Sequence, residues 1–340
     1  MFGTSRRGLT EMSAMKKTLR IDITEQSLYP DVLRLLKRIP ASNLFHTRYP
    51  FRHPAAIYVL SLIQLAGDFN RLLNDYAAIR SSQGKLGTLN EQIERSQRIL
   101  IYSIREHLDD CQMILLCLID PNAVASQGKS PDDILKAAGL TEQKIFWGGV
   151  HNYVDSYLGP LVNKLKHSQG RFRTVVFECP GGDLRTGFYL EEVTDAGIAQ
   201  PSLKLHKGNS AFSYARDIRS NLALIFRASA SLQAAIEAFL KRRGIALMPD
   251  ENVPANPGAW SAMCSRIASL DVGVFPQELK DRFFRFEINS AGALRIREME
   301  RDQKLSFPKG NIKCTTYEMP DGMTLTYRMP YFAGNKPRFK

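Results

Sequence analysis

The chain has 340 residues, a net charge of +12 and five cysteines. Its hydrophobic fraction of 44% and charged fraction of 24% are typical of globular proteins and exclude a wholly disordered chain. The longest apolar run, Met113 to Ile119, is far shorter than the roughly 20 residues that span a bilayer. The first twenty residues lack the apolar stretch of a secretory signal. We therefore expect a cytoplasmic protein of about two domains that does not bind membranes.

The positive charge is concentrated toward the C-terminus. Residues 280–340 contain 13 Lys and Arg against 7 Asp and Glu, so these 61 residues carry half of the net charge. A basic surface attracts phosphate-rich partners because their binding releases the counterions condensed around the phosphates. The charge therefore indicates RNA or another nucleic acid as the partner.

Two long helices are predicted in the first third of the chain. Apolar residues recur at helical spacing from Pro54 to the Ser81–Gly84 breaker. A second helix, with Asn90 as its predicted N-cap, ends before Asp120.

Two further helices follow. The sequence Ser130-Pro131-Asp132-Asp133 combines a capping serine, a proline and an acidic first turn, which predicts a short helix. Thr141 is predicted to cap a long amphipathic helix, and Pro160 is expected to kink it.

The periodicity changes from helical to alternating after Gly170. Residues 172–193 predict a β-hairpin with its turn at 180–183, and a third strand is predicted at 203–206. Another long helix is predicted from Ser210 to the sequence Lys241-Arg242-Arg243-Gly244, where cations and a glycine suit a helix C-terminus.

The last part of the chain is predicted to be rich in β-structure. Residues 246–257 contain three prolines and no periodicity, as expected of a linker. After a short helix, segments 282–288 and 293–297 flank one turn signal, and segments 312–317 and 324–328 flank another.

These elements predict an α+β protein that is mainly helical: a four-helix-type bundle with an inserted β-hairpin, plus a small C-terminal β-rich module. The predicted domains are a flexible basic N-terminus (1–20), the bundle (21–245) with its hairpin insertion at about 172–206, a linker (246–257) and the basic module (258–340).

The cysteines are predicted to be reduced thiols of the core. Their number is odd, no two have Cys-x-x-Cys spacing, and two lie within an apolar helical pattern. We expect no disulfide, no metal site and no cofactor. The five residues are Cys111, Cys117, Cys179, Cys264 and Cys314.

A polar motif lies near the end of the helix that contains Pro160. Asn163 and His167 are four residues apart and share one helix face. Lys164, Lys166 and Arg171 surround them with positive charge. These groups could contact phosphate or ribose, and the imidazole could do acid–base chemistry on an RNA 2′-hydroxyl. Cations are also favoured in any last helical turn, so a purely structural role stays open.

This helical layout with its motif resembles the HEPN superfamily, whose RNA-associated domains include toxins, CRISPR-associated ribonucleases and phage-defence components. Asn163 and His167 match the polar-x-x-x-His part of the family motif, whereas Val162 stands in place of the family's arginine. The resemblance implies a metal-independent ribonuclease site with Asn163, His167 and Arg171 as catalytic candidates, in which Arg171 or Arg173 replaces the missing arginine.

Basic and aromatic residues interleave in the C-terminal module. Bases stack on exposed aromatic rings while cations follow the nucleic-acid backbone. Phe284 and Phe286, however, alternate as the buried face of a strand requires. The predicted nucleic-acid-binding residues are Lys164, Lys166, Arg173, Arg282, Arg285, Arg328 and Arg338.

Two other motifs are excluded. The segment 48–53 has the Arg-to-His spacing of the family motif, but Pro50 and Pro54 forbid a regular helix there. The sequence Gly128-Lys129-Ser130 lacks the glycine that a P-loop needs five residues earlier, where Ala123 stands.

The predicted function is therefore association with RNA or another nucleic acid, as a HEPN-like component of phage defence or of a toxin system, with ribonuclease activity left open. The alternative is a non-catalytic scaffold that assembles with a partner protein or with copies of itself. A third reading is a sensor of a small ligand bound in a bundle pocket with Trp147, Tyr153 and Tyr157.

Overall fold

The structure is a computed structural model of the chain. It describes residues 22–25, 28–82, 88–123, 130–167, 170–178, 184–193, 199–206, 211–249, 258–271, 273–275, 278, 283–299, 317–318 and 324–325.

The described residues form the following helices and strands in chain order. The helices are α1 (Val32–Lys37), α2 (Pro54–Ser81), α3 (Leu89–Leu116), α4 (Pro131–Ala137), α5 (Thr141–Tyr153), α6 (Gly159–Lys166), α7 (Leu203–His206), α8 (Tyr214–Arg243) and α9 (Gly258–Ala268). The strands are β1 (Asp22–Glu25), β2 (Gly170–Glu178), β3 (Leu184–Val193), β4 (Ala199–Pro201), β5 (Phe212–Ser213), β6 (Phe283–Ile288), β7 (Leu294–Met299), β8 (Tyr317–Glu318) and β9 (Thr324–Leu325).

Four helical runs, α2, α3, α5–α6 and α8, form an up-and-down bundle. The hydroxyls of Tyr58 and Ser229 share a hydrogen bond of 2.5 Å near the start of α2. Near its end, the rings of Tyr76 and Tyr214 lie 6.1 Å apart. Helices α2 and α8 are therefore antiparallel, as the first and fourth helices of an up-and-down bundle are. The predicted mainly helical α+β fold is confirmed.

Helices α2 and α3 are joined along one edge by a ladder of polar pairs. The partners step by seven residues along both helices, which is two turns and keeps them on one face. Asp68 also accepts hydrogen bonds from Gln64 and Arg71. The ladder consists of Asp75 with Ser96 at 2.5 Å and Asp68 with Ser103 at 2.6 Å, and Ser61 of α2 also shares a hydrogen bond of 2.9 Å with His107 of α3.

We expect Ser103→Ala to lower the free energy of unfolding by about 1–3 kcal/mol, because a buried carboxylate then loses a donor. Asp68 is only 2% exposed, so water cannot replace the serine. The matched control is Ser81→Ala, since Ser81 is exposed and donates to its own helix. Urea denaturation of both variants tests this, and equal losses would show that the ladder does not stabilise the packing of α2 against α3.

The irregularity predicted at Pro160 takes the form of a π-helical turn. Residues Val154–Leu158 are π-helical and join α5 directly to α6. The amide of Gly159 donates to the carbonyl of Val154, five residues back. Proline has no N–H, so the hydrogen-bond pattern must shift in the turn before it.

Two predicted N-caps are wrong. Helix α3 begins at Leu89, and Asn90 lies inside it with its side chain buried. Thr141 is the first residue of α5, and its hydroxyl donates to Glu142 rather than capping the helix. Helix α3 therefore starts two residues earlier, and α5 one residue earlier, than the capping preference indicates.

Other helix ends agree with the sequence. Ser130 accepts a hydrogen bond from the amide of Asp133 and caps α4 as predicted. Gly244 has a φ of +64° directly after α8, the left-handed conformation that favours glycine. Helix α8 is capped at its start by Ser213, whereas Ser210 lies outside the described residues.

The predicted hairpin is confirmed as the antiparallel pair β2–β3. The turn at 180–183 lies outside the described residues. The third strand at 203–206 is wrong: strand β4 pairs with β3 instead, and 203–206 is a helical turn. Two amides of that turn bind the carbonyl of Ser202, and the His206 imidazole accepts the Leu190 N–H at 2.9 Å. These contacts replace strand pairing.

The N-terminal strand β1 joins the hairpin β6–β7 in a three-stranded sheet. Ile23 pairs with Ile296 across β1 and β7. Trp260 of α9 is 2% exposed, and its indole N–H donates to the carbonyl of Leu28 at 2.8 Å. Segments on both sides of the predicted linker therefore pack on one core. Residues 1–20 and 250–257 lie outside the described residues, and the domain boundaries stay a prediction.

Strands β8 and β9 form a two-stranded antiparallel pair. Strand β9 falls within the predicted segment 324–328, whereas β8 overlaps the predicted segment 312–317 only at Tyr317. The remainder of those segments, 312–316 and 326–328, lies outside the described residues.

Helix α8 is the central helix of the core. It is long and apolar enough to cross a membrane by length and composition alone, but 61% of its most apolar window is buried inside the fold. Burial of this kind is typical of a core helix in a soluble protein. Cys111, Cys117 and Cys264 are buried and free, as predicted, whereas Cys179 and Cys314 lie outside the described residues.

Candidate nucleic-acid interface

The predicted motif lies at the corner where α6 ends and β2 begins. Leu161 and Leu165 anchor α6 in the core and are at most 3% exposed. A Cβ atom on Gly170 would lie 3.0 Å from the side chain of Leu190, so the first residue of β2 packs tightly against β3. The helix end and the strand start are thus both held by buried contacts.

Four polar side chains at this corner are exposed: those of Asn163, Lys166, His167 and Arg171. The amide of His167 donates to the carbonyl of Asn163 at 3.2 Å and closes the last turn of α6. Within the part of the chain that the structure describes, none of the four forms a salt bridge. We name these four residues the α6–β2 corner. Its cations are available to an external anion.

The two other cations predicted here are paired with consecutive glutamates of β3. The ammonium of Lys164 lies 3.1 Å from the carboxylate of Glu192. Arg173 donates two hydrogen bonds of 2.9 and 3.0 Å to Glu191, and both side chains are 9% exposed. Arg173 therefore lies inside the fold and not on the basic surface that the sequence predicts, because Glu191 neutralises it there.

Val162 occupies the position of the arginine in the HEPN motif. Its side chain is partly buried and packs against the apolar core. An arginine at this position would have to leave that contact to reach solvent. Arg171, the second residue of the strand that follows α6, is an exposed cation next to the motif.

The C-terminal candidates are described only in part. Arg285 is exposed and forms a salt bridge of 3.4 Å with Glu287. Phe286 is 7% exposed and belongs to the core, as its alternation with neighbouring residues predicts. The remaining candidates, Arg282, Arg328 and Arg338, lie outside the described residues.

The loop before α2 holds a pair of histidines. The rings of His46 and His53 lie 5.3 Å apart, and the His53 imidazole accepts the Ala55 N–H and caps α2. Burial lowers the pKa of His53, and His46 lowers it further. Arg48 binds Asp120 at 2.9 Å. Among the described residues, no group of three or more His, Cys, Asp or Glu side chains is placed to hold a metal ion.

A buried polar network in the bundle was missed by the sequence analysis. Asp217 accepts hydrogen bonds from Gln97 at 2.6 Å, from Asn221 at 2.8 Å and from Tyr157. Tyr153 donates to Asn221 at 2.8 Å. The available signal was the spacing of Asp217 and Asn221, which places two polar groups on one face of an otherwise apolar helix.

The same network occupies the proposed ligand pocket. The hydroxyls of Tyr153 and Tyr157 are bound to internal acceptors, and the indole of Trp147 donates to Asp132 at 3.2 Å. Burial, together with the nearby Asp217, raises the pKa of both tyrosines well above the usual value. These aromatic residues thus form structural contacts within the bundle.

No protein-family model, curated protein or solved structure matches the chain.

Proposed function

We propose that this protein acts in the cytosol and binds single-stranded RNA through the α6–β2 corner. The observation that carries the proposal is a difference in pairing among neighbouring polar side chains. Lys166, His167 and Arg171 face solvent without an acidic partner in the described residues. The cations beside them, Lys164 and Arg173, are each paired with a glutamate. Exposed, uncompensated cations favour a phosphate backbone because binding releases its counterions. The net charge of +12 steers RNA toward the protein.

We further propose that the corner is a HEPN-like ribonuclease site of a phage-defence or toxin component. In this reaction the His167 imidazole takes the proton of the RNA 2′-hydroxyl, and the 2′-oxygen attacks the adjacent phosphorus. The 5′-oxygen leaves and takes a proton from water, which gives a 2′,3′-cyclic phosphate and a 5′-hydroxyl end. Arg171 offsets the charge that develops on the phosphate, and Asn163 donates a hydrogen bond to it.

A fluorescent single-stranded RNA, titrated across a salt series, tests both parts. We expect the double variant Lys166→Glu/Arg171→Glu to bind about tenfold more weakly or worse, with a shallower salt dependence. We expect His167→Ala to bind RNA but not to cleave it. The matched control is Lys144→Glu, an exposed lysine roughly 30 Å away near the start of α5, which should bind like the wild type.

The outcomes separate the candidate functions. Binding without cleavage in the wild type would leave an RNA-binding module and reject the ribonuclease. An absence of binding at about 50 mM salt would reject both RNA proposals and favour the scaffold, which light scattering would then show as a defined oligomer.

A further inference from the structure

A cleft of about 430 Å³ lies at the opposite end of the bundle from the α6–β2 corner. It is formed by the chain after α3, the turn before α5 and the last turn of α8. Its floor is apolar, with Leu118, Leu140 and Phe239 at most 6% exposed. Arg242 and Arg243 lie at its rim. A cleft of this size falls within the range of small-molecule sites, about 300–1,000 Å³.

The charges around this cleft do not cancel. Asp120 lines it but is bound by Arg48 at 2.9 Å. Arg242 is held by Glu142 through hydrogen bonds of 2.7 and 3.1 Å. Arg243 is exposed and has no acidic partner within the described residues. Its charge is therefore uncompensated, and the cleft favours an anion.

Both arginines are placed over one aromatic ring. The guanidinium carbons of Arg242 and Arg243 lie 5.5 and 5.8 Å from the centre of the Phe239 ring. Contact with the ring limits the conformations of the Arg243 side chain. Less conformational entropy is therefore lost when Arg243 binds a ligand. Its planar guanidinium matches two oxygens of a phosphate group.

We propose that the cleft binds a small phosphomonoester carried on a flat apolar body. The phosphate accepts hydrogen bonds from Arg243, and the apolar body covers the floor around Phe239. The inference is independent of the proposed RNA function, since the residues of the cleft and of the α6–β2 corner are separated by the length of α5–α6, about 35 Å.

Cations in a last helical turn also stabilise the helix by interacting with its C-terminal carbonyls. Arg243→Lys separates the two roles, because lysine keeps the charge but loses the planar pair of donors. A purely structural Arg243 would tolerate this change without any effect on ligand binding.

Calorimetric titration with phenyl phosphate tests the proposal. We expect binding by the wild type, weakened about tenfold by Arg243→Glu and measurably by Arg243→Lys. Inorganic phosphate lacks the apolar ring and phenol lacks the phosphate group. Each should therefore bind at least about tenfold more weakly than phenyl phosphate. Adenosine monophosphate distinguishes a nucleotide from a simpler aryl phosphate, and binding of either supports the site.

The matched control is Arg98→Glu, an exposed arginine about 30 Å back along α3, which should bind phenyl phosphate like the wild type. The proposal is overturned if the wild type does not bind phenyl phosphate at about 10 mM, or if Arg98→Glu weakens binding as much as Arg243→Glu. RNA binding by Arg243→Glu should match the wild type, so the failure of one proposal leaves the other intact.

Discussion

Arg173→Ala is expected to lower the free energy of unfolding by about 3–5 kcal/mol, because it leaves a buried carboxylate without its counter-ion. Arg173 and Glu191 are each only 9% exposed, and two hydrogen bonds join them. The alanine variant keeps the Glu191 charge in the fold but removes both donors. The large effect therefore comes from the unpaired acid.

Urea denaturation followed by circular dichroism at pH 7 measures this loss. The control is Arg171→Ala, two residues earlier on the same strand, for which we expect a change within about 0.5 kcal/mol because Arg171 is exposed. The double variant Arg173→Met/Glu191→Leu should recover most of the stability, since it removes the unpaired charge. If Arg173→Ala costs no more than Arg171→Ala, the pair does not stabilise the fold.

This pair of arginines shows where prediction from sequence ends. Arg171 and Arg173 are two residues apart on β2, so strand periodicity places both side chains on one face. Glu191 lies directly opposite Arg171 in the strand register, yet its carboxylate is bound by Arg173 across the diagonal. Arg173 lies further along β2, which packs against α3. The neighbours that bury one arginine come from distant parts of the chain, and spacing along the sequence does not reveal them.

Elements with strong local signals were predicted well. Pro54 begins α2, and Gly244 ends α8, because proline suits a first helical turn and glycine suits a left-handed C-cap. The prediction of a strand at 203–206 was wrong because four residues are too few to show a clear periodicity. Its conformation depends on a contact between His206 and Leu190 that no local pattern encodes.

Buried polar groups were also not predicted from the sequence. Asp68 is a charged residue, which is expected on a solvent-exposed helix face, yet it is only 2% exposed in the ladder between α2 and α3. Asp217 is likewise 4% exposed, with its donors on α3, on α8 and on the turn between α5 and α6. Periodicity arguments assign charged residues to the surface, so such networks emerge only once the helices are placed together.

Asp217 should make the protein less stable as the pH rises from 4 to 7. Burial raises the pKa of this carboxyl to about 6, although hydrogen bonds from Tyr157 and Gln97 oppose the shift. In the unfolded chain an aspartate has a pKa near 3.9. The folded state therefore holds a proton that the unfolded state releases, so the stabilisation is complete below about pH 4 and is lost as the pH rises through 6.

The size of this effect follows from the two pKa values. A difference of about two units corresponds to about 3 kcal/mol. The free energy of unfolding of the wild type, minus that of Asp217→Asn, should fall by about this amount between pH 4 and 7. Asparagine keeps the shape of the protonated carboxyl but cannot ionise. The contributions of all other titrating groups are the same in both proteins and cancel when the two free energies of unfolding are subtracted.

Denaturation of the wild type and Asp217→Asn at several pH values measures that difference. The control is Glu237→Gln on the same helix, which replaces an exposed carboxylate by its neutral amide. A constant difference for Asp217→Asn would mean that folding does not raise the pKa of the buried aspartate. The donors Tyr157, Gln97 and Asn221 would then outweigh the cost of burial, and the network would act as a preorganised anion site rather than a protonated core contact.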